Sequence, residues 1–191
     1  MKTKQLLEDL EHGNASEAIE AAKSLSSLPR LQVRRIMEVL GGAKDVSNRV
    51  ATVYALSWLR RKENHEVLRA LISIADDAGE YPAVRGQAFE GLGIQRSTQR
   101  HKLWRDIERV ILAGLRDREV EVRFWACYAA GSLRMKSALP ELQGITENDS
   151  AMYPNWWRVS EEAADAIEWI FGRSTEARMR VYAQNENGSE A

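Results

Sequence analysis

The chain has little of what a disulfide framework, a membrane span or a loop-rich fold requires. Its one cysteine, Cys127, cannot form an internal disulfide and suits a reducing compartment. Proline accounts for 4 of 191 residues, so few breaks interrupt helical patterns. No apolar run approaches the ~18 residues that span a bilayer, and the amino-terminal segment lacks the apolar stretch of a signal peptide. We therefore expect a cytoplasmic protein that does not bind membranes.

The chain also lacks an excess of charge of either sign, with 27 basic and 28 acidic residues and a net charge of −1. A nucleic-acid-binding arm or a polybasic membrane anchor needs a strong positive field, so near-neutrality argues against both. The charge is unevenly distributed, because residues 1–140 carry a net +5 and the last 51 residues a net −6. A chain polarised in this way is suited to steering a partner of matching polarity.

The sequence does contain an internal repeat of 37 to 38 residues. Three segments align without gaps: NRVATVYALSWL from Asn48, RGQAFEGLGIQR from Arg85 and RFWACYAAGSLR from Arg123. SEEAADAIEWIF from Ser160 keeps the same spacing of small and large apolar residues, and Ala15 marks a fifth copy one period before the first. Such a period predicts a stack of similar units. The aligned copies share an anchoring alanine: Ala51, Ala88, Ala126 and Ala163.

Each copy contains two amphipathic helical patterns, with apolar residues at i, i+3 or i+4, and i+7. The first helices are predicted near residues 2–11, 31–41, 64–77, 101–115 and 137–146. The second helices are predicted to begin near Asn14, Val46, Pro82, Glu119 and Arg158. No alternating strand pattern competes, so the predicted class is all-α. The irregular segment 146–159 is a longer loop, and loops of this length often carry function.

A two-helix unit of this length, with aspartate near the turn and VR opening the second helix, resembles the HEAT repeat, particularly its short bacterial form. The likeness is carried by DREVEVRFWACYAAGSL from Asp117 and YPAVRGQAFEGLG from Tyr81, and it extends over residues 14 to about 171. It implies a right-handed α-α superhelix, or solenoid, of about five HEAT-like helix pairs in a single domain over 1–172. The implied copies are 1–28, 29–62, 63–98, 99–136 and 137–172, followed by a C-terminal cap and flexible tail at 173–191.

Two arginines near the start of second helices, Arg85 and Arg123, are expected to hold one copy against the next. The resemblance implies that each guanidinium pairs with an aspartate of the turn before its helix: Asp76 or Asp77 for Arg85, and Asp117 for Arg123. The same position in copies two and five holds Asn48 and Ser160, so this ladder is expected to break at both ends. In the alternative interpretation, the arginines face a groove and bind an anion.

Groups able to carry catalysis are sparse. Cys127 lies on a densely apolar helix with no histidine near it in sequence, so we expect a buried structural thiol. Gly91 and Gly93 lie inside a helical pattern without a preceding strand, which favours close helix packing over a phosphate loop. No two of the three histidines lie within four residues of each other: His12, His65 and His101. We therefore expect no catalytic residue, no cofactor and no metal.

The expected binding surface is the side of the second helices opposite the anchoring alanines, which the resemblance places on the concave side of the superhelix. Residues two before, two after and nine after each alanine lie near that side. They predict a surface that runs from basic through aromatic to acidic: Arg49 and Arg60, then Glu90, then Phe124 and Tyr128, then Glu161 and Asp165. In the alternative interpretation, Phe124 and Tyr128 pack between adjacent helices.

Trp156 and Trp157, in the 146–159 loop, form a second candidate surface. An exposed tryptophan pair can stack on a base or fill a pocket of a partner. Folded over the last helix pair, the same residues would instead close its core.

These observations predict a monomeric, non-catalytic module, such as a scaffold, an adaptor or a toxin-neutralising immunity-type protein, that binds a protein partner on its concave face. Two alternatives follow from the resemblance. An alkylpurine DNA glycosylase needs a basic face around an extruded base, which the acidic residues of this surface oppose. A bilin lyase needs an acid/base pair beside a tetrapyrrole, for which Glu90 with Tyr128 is the candidate pair.

Overall fold

The computed structural model describes residues 2–28, 33–59, 65–95 and 97–173, and in these ranges it contains helices and no strand. No helix in the described part of the chain is long and apolar enough to cross a membrane. The all-α prediction is therefore confirmed. The helices are α1 (Lys2–His12), α2 (Ala15–Ser26), α3 (Val33–Gly42), α4 (Val46–Ser57), α5 (His65–Asp76), α6 (Pro82–Ile94), α7 (Trp104–Gly114), α8 (Val120–Ser132), a 3-10 turn (Lys136–Ala138), α9 (Leu139–Asn148) and α10 (Val159–Ile170).

Polar side chains and proline begin the helices where the sequence predicts. The Asn14 side chain accepts the Glu17 N–H at 3.1 Å, and the Glu17 carboxylate accepts the Asn14 N–H at 2.9 Å, which closes a capping box on α2. Asp45 accepts the Ser47 N–H at 2.8 Å at the start of α4. Pro82 opens α6, where its missing N–H has no helical partner to lose. The predicted starts of the second helices therefore lie within one residue of the observed starts.

The helices pack as pairs that follow one another along the chain. The even-numbered helices contact each other in order, α2 with α4, α4 with α6, α6 with α8 and α8 with α10. Each even-numbered helix also packs on the odd-numbered helix before it. The anchoring alanines are buried in this row, and one apolar core runs from Leu10 to Ile170. Each even-numbered helix between α4 and α8 is thus covered by two neighbours in the row and by its own odd-numbered helix.

Two glycines of α6 are required by close helix packing. A Cβ added at Gly91 would lie 3.0 Å from Leu71 Cδ2, and one added at Gly93 would lie 2.8 Å from Tyr128 Cε1. Both distances are shorter than an ordinary carbon contact, so a side chain at either position would push a neighbouring side chain away. The prediction that Gly91 and Gly93 serve helix packing is confirmed.

Three arginines form a ladder between consecutive helix pairs. Each donates to backbone carbonyls of the turn before its own helix; Arg85 Nε, for example, lies 3.2 Å from the Ala75 oxygen. Each also pairs with a carboxylate in the corresponding turn of the next helix pair. The pairs are Arg49 Nε with Glu80 Oε1 at 3.1 Å, Arg85 Nη2 with Asp117 Oδ2 at 2.7 Å and Arg123 Nε with Asp149 Oδ2 at 2.6 Å. The ladder therefore links turns that lie one copy apart.

The predicted pairing of Arg85 with Asp76 or Asp77 is wrong. Arg123 binds Asp117 through the backbone carbonyl of Asp117, at 2.8 Å, and not through its carboxylate. Each guanidinium donates part of its N–H groups to carbonyl oxygens that precede its own helix. Its remaining N–H groups donate to a carboxylate in the corresponding turn of the next helix pair. The carboxylates predicted for Arg85 have other partners, because Asp76 binds Arg109 and Asp77 accepts the Gly79 N–H.

The predicted break of the ladder in copy two is also wrong. Arg49, one residue after Asn48, makes the ladder contacts there. Asn48 instead donates to the carbonyl oxygens of Leu10 and Gly13, at 3.1 and 2.9 Å, and so ties α4 to the end of α1 and the turn between α1 and α2. An amide side chain suits this position because it can donate two hydrogen bonds to two carbonyls without burying a charge.

Candidate functional site

Seven aromatic rings form one cluster on α8, α10 and the loop between α9 and α10. Ring centroids in contact are 4.9 to 6.3 Å apart, and most of the pairs are tilted or edge-to-face, as aromatic quadrupoles prefer. We call this set the aromatic cluster: Phe124, Trp125, Tyr128, Tyr153, Trp156, Trp157 and Trp169. It joins four tryptophans, of which only Trp156 and Trp157 are neighbours in the sequence.

The loop at 149–158 is folded back onto α8 by its own hydrogen bonds. The Tyr153 N–H donates to the Trp157 carbonyl at 3.2 Å, and Asn155 turns the chain with a left-handed φ of 62°. Asparagine tolerates this conformation better than most residues. The Tyr153 hydroxyl then donates to Glu121 on α8 at 2.6 Å. The loop is thereby held over the first half of α8.

Phe124 is buried beneath this loop, with only 1% of its surface exposed. Its ring centroid lies 5.8 Å from that of Trp156 and 5.7 Å from that of Trp157. The prediction of an exposed Phe124 is wrong. The alternative, that it packs between adjacent helices, is correct as to its burial, but the rings in contact with it come from the loop and from α8 itself. Helical periodicity predicts the direction in which the Phe124 side chain leaves α8. It does not predict that the loop packs over that side chain, as it does in the structure.

The two loop tryptophans have different environments. Trp157 is half-buried, packs against the core and donates its Nε1–H to Glu162 at 2.7 Å. Trp156 remains 44% exposed and contacts Trp125 with ring centroids 5.3 Å apart. Trp157 thus helps to close a core, while Trp156 presents an aromatic surface to solvent.

The exposed side of the even-numbered helices is narrower than the sequence pattern predicts. Asp165 was expected on the acidic part of the surface, but it is only 7% exposed. The prediction assumes that the anchoring alanine lies at the centre of the buried face of each helix. Because other helices pack on three sides, the buried face is wider and its centre is displaced from the alanine. On α6 and α8, the positions one residue before and two residues after the anchoring alanine are half-buried: Gln87 and Glu90 on α6, and Trp125 and Tyr128 on α8. On α4 and α10 the position two residues after the alanine is buried.

The remaining predicted surface residues serve structural roles or lie outside the described chain. The Arg49 guanidinium belongs to the arginine ladder. The Glu161 carboxylate accepts the Arg158 N–H at 2.8 Å at the start of α10. Arg60 and residues 174–191, which include most of the predicted cap and tail, lie outside the described ranges. Of the predicted surface, the structure brings Glu90, Tyr128 and Trp156 together.

Two carboxylates border the exposed rings. Burial raises the pKa of Glu90, although the Gln87 amide donates to its carboxylate and partly offsets this effect. Burial, together with the hydrogen bond to Glu121, raises the pKa of Tyr153 to about 12, so the phenol stays protonated at neutral pH.

Sequence reasoning missed Trp125 and Glu121. Their spacing of four residues, which places them on one helix face, could have indicated them.

Cys127 is fully buried, and this burial raises the pKa of its thiol well above the usual range. A thiol that stays protonated is a poor nucleophile. The predicted burial of Cys127 is confirmed. The described residues contain no group of three or more histidine, cysteine, aspartate or glutamate side chains placed to hold a metal ion.

Packing of α5 against α7 brings together two histidines that are 36 residues apart in sequence, a contact that sequence reasoning missed. The ring centroids of His65 and His101 lie 4.6 Å apart. The His101 Nδ1 atom accepts the Leu103 N–H at 3.1 Å, while His101 Nε2 and His65 Nδ1 are buried without a hydrogen-bond partner among the described residues. Burial, with smaller contributions from the nearby charges of His65 and Lys102, lowers the pKa of His101.

We expect His101 to make the protein less stable as the pH falls below about 6.5, the ordinary pKa of an unfolded histidine. In the folded state the protonated form of His101 is disfavoured. As the pH falls, His101 is therefore protonated first in the unfolded state, and stability is lost between the unfolded pKa and the lower folded pKa. Urea denaturation at pH 7.5, 6.5 and 5.5 measures this effect. His101→Asn, which keeps an acceptor for the Leu103 N–H, should flatten the dependence, whereas His12→Gln, at an exposed site, should leave it unchanged. Equal slopes in wild type and His101→Asn would contradict it.

Comparisons with known proteins assign no family to the chain. No family model matches it, and no curated protein matches it. A functional proposal therefore depends on the residues of the surface themselves.

Proposed function

We propose that this chain is a non-catalytic interaction module, an α-solenoid of five HEAT-like helix pairs that binds a protein partner across the exposed sides of α6 and α8. The proposed roles are those of a scaffold, an adaptor or a toxin-neutralising immunity-type protein. The proposed setting is the cytoplasm, because a single cysteine suits a reducing compartment. In this proposal the protein acts as a monomer.

The observation that carries the proposal is the exposed part of the aromatic cluster. Trp156 is 44% exposed and rests on the half-buried Trp125, and the half-buried Tyr128 continues the same surface on α8. Large aromatic side chains held rigid by their neighbours are the usual anchors of protein interfaces, since they bury much area at little cost in side-chain entropy. Tyrosine and tryptophan also retain a polar group for a hydrogen bond across the interface.

The order of the helices supports the proposed shape. A repeat of 37 to 38 residues coincides with a row of even-numbered helices, each in contact with the next. In a solenoid, such a row presents a continuous surface on which a partner can lie. The carboxylates of Glu90 and Glu121 beside the aromatic cluster favour a protein over a nucleic acid, because they would repel phosphates.

The proposal predicts a partner whose binding depends on the exposed rings. Trp156→Ser combined with Tyr128→Ser should weaken binding at least about tenfold, since interface anchors of this kind contribute ~2 kcal/mol or more each. Affinity purification with the tagged full chain identifies the partner, and titration of the purified pair gives the dissociation constant for each variant. Circular dichroism checks that the double variant keeps its helices.

Tyr81→Ser is the matched control, because Tyr81 is an equally exposed aromatic residue, 50% accessible, with no ring contact among the described residues. It should bind as the wild type does. Phe124 is unsuitable for this test because its removal disturbs the core. If no protein binds at micromolar affinity, or if the double variant binds as tightly as Tyr81→Ser, the proposed function is wrong.

A further inference from the structure

Glu90 lies between two rings that α8 presses against α6. Gly86 and Gly93 flank Glu90 by about one turn on either side, on the same helix face. A Cβ at Gly86 would lie 2.8 Å from Trp125 Cδ1, and a Cβ at Gly93 would lie 2.8 Å from Tyr128 Cε1. The glycines therefore let both rings approach the α6 backbone, one turn before and one turn after Glu90.

Within the described residues, Glu90 differs from the carboxylates of the arginine ladder in having no cation. Glu80, Asp117 and Asp149 each pair with an arginine of the ladder. No ion pair within the described residues includes Glu90, whose one hydrogen-bond partner there is the neutral Gln87 amide. Burial without a compensating cation raises its pKa. A cation from outside the chain would remove this penalty.

A second carboxylate, Glu121, and the faces of the aromatic rings also favour the binding of a cation. Glu121 accepts the Tyr153 hydroxyl and takes part in no ion pair within the described residues. The faces of tryptophan and tyrosine rings carry negative electrostatic potential and attract cations. The surface formed by Glu90, Glu121 and the rings of Trp125 and Trp156 therefore favours positive charge and disfavours anions.

The arrangement of the rings selects the type of cation. The centroids of Trp125 and Trp156 are 5.3 Å apart with an interplanar angle of 71°, so the rings contact each other and leave no gap between them for an ammonium group. A ligand must lie on the outer surface of the rings. A guanidinium is planar, weakly hydrated and able to stack on a ring while donating to a carboxylate, which a compact ammonium does less well.

We propose that this surface binds an arginine side chain of the protein partner, with the guanidinium stacked on the exposed tryptophan ring of Trp156 and donating to Glu90. This inference deepens the proposed function and rests on it for the identity of the ligand as part of a protein. The site itself can be tested without the partner.

The test titrates the full-length protein with the peptide acetyl-Gly-Arg-Gly-amide and follows the tryptophan indole N–H resonances by NMR. We expect saturable shifts of the Trp125 and Trp156 signals at millimolar peptide. The citrulline peptide, which has the same shape without the charge, should bind at least about tenfold more weakly, and the lysine peptide roughly threefold more weakly. Indole signals are assigned by single Trp→Phe variants.

Glu90→Gln tests the carboxylate with little change of shape, and Glu147→Gln is the control, because it removes the same charge from the exposed end of α9. Glu90→Gln should weaken arginine binding about three- to tenfold, and Glu121→Gln should weaken it less. Glu147→Gln should bind within about twofold of wild type, since an exposed charge elsewhere on the chain acts only through the screened long-range field.

Equal binding of the arginine and citrulline peptides would overturn the inference, as would equal effects of Glu90→Gln and Glu147→Gln. Equal or tighter binding of the lysine peptide would overturn the preference for arginine. If a partner depends on Trp156 and Tyr128 but the arginine peptide does not bind, this inference fails and the proposed function stands. If the peptide binds but no protein partner exists, the cation site stands and the proposed function fails.

Discussion

Phe124→Ala should lower the free energy of unfolding by about 3–5 kcal/mol, the usual cost of removing a fully buried phenylalanine. Phe124 is 1% exposed and contacts rings from both α8 and the 149–158 loop. Its removal leaves a cavity that the loop can fill only by losing the hydrogen bond between Tyr153 and Glu121. The loss should therefore include the packing of the loop as well as that of the side chain.

Urea denaturation followed by tryptophan fluorescence measures this loss near the site, because four of the six tryptophans belong to the aromatic cluster. Far-UV circular dichroism reports the rest of the helices, so local unfolding at the aromatic cluster can be told apart from unfolding of all the helices. Tyr81→Ala, at an exposed position, should cost less than about 0.5 kcal/mol. A loss below about 1 kcal/mol for Phe124→Ala would mean that the loop does not cover this residue.

The same residue shows how far the sequence predicts the site. Periodicity located all five second helices within one residue of their observed starts, since helix starts depend on local signals such as Asn14, Asp45 and Pro82. It did not locate the exposed face of α8, because exposure depends on what packs against the helix. The loop that covers Phe124 is 25 residues or more away in the chain, and no local pattern indicates where it folds.

The arginine ladder shows a similar limit. The sequence identified Arg85 and Arg123 as residues that hold neighbouring copies together, and each does so. It assigned their carboxylate partners to the nearest turn in sequence, about nine and six residues away. The observed partner of Arg85, Asp117, lies 32 residues later in the chain, because stacking brings equivalent turns of consecutive pairs side by side.

The contact between Arg85 and Asp117 is therefore expected to couple one helix pair to the next. The two side chains are 11% and 15% exposed, and the Arg85 Nη2 atom lies 2.7 Å from Asp117 Oδ2. Burial alone would raise the pKa of Asp117, but the Glu119 N–H and the Arg85 guanidinium outweigh it, so the pKa lies below its usual value. A carboxylate with a lowered folded pKa stabilises the protein above its unfolded pKa of about 3.9, and this stability is lost as the pH falls through the folded pKa.

A double-mutant cycle with Arg85→Met and Asp117→Asn measures the coupling. Methionine keeps much of the arginine stem, and asparagine keeps an acceptor for the Glu119 N–H at the start of α8, which Asp117 holds at 2.9 Å. We expect each single variant to lose about 2–3 kcal/mol of stability at pH 7, with a coupling energy of about 1–3 kcal/mol that declines below pH 4.

The pair of Arg109 with Asp76 provides a matched comparison on the same protein. It has two hydrogen bonds of 2.9 Å, so its geometry is at least as good, but its side chains are 54% and 44% exposed. Solvent screens such a pair, and the same cycle should give less than about 1 kcal/mol, falling further in 1 M salt. If the two cycles give equal coupling energies, burial does not make the ladder strong, and the apolar core alone would have to hold consecutive helix pairs together.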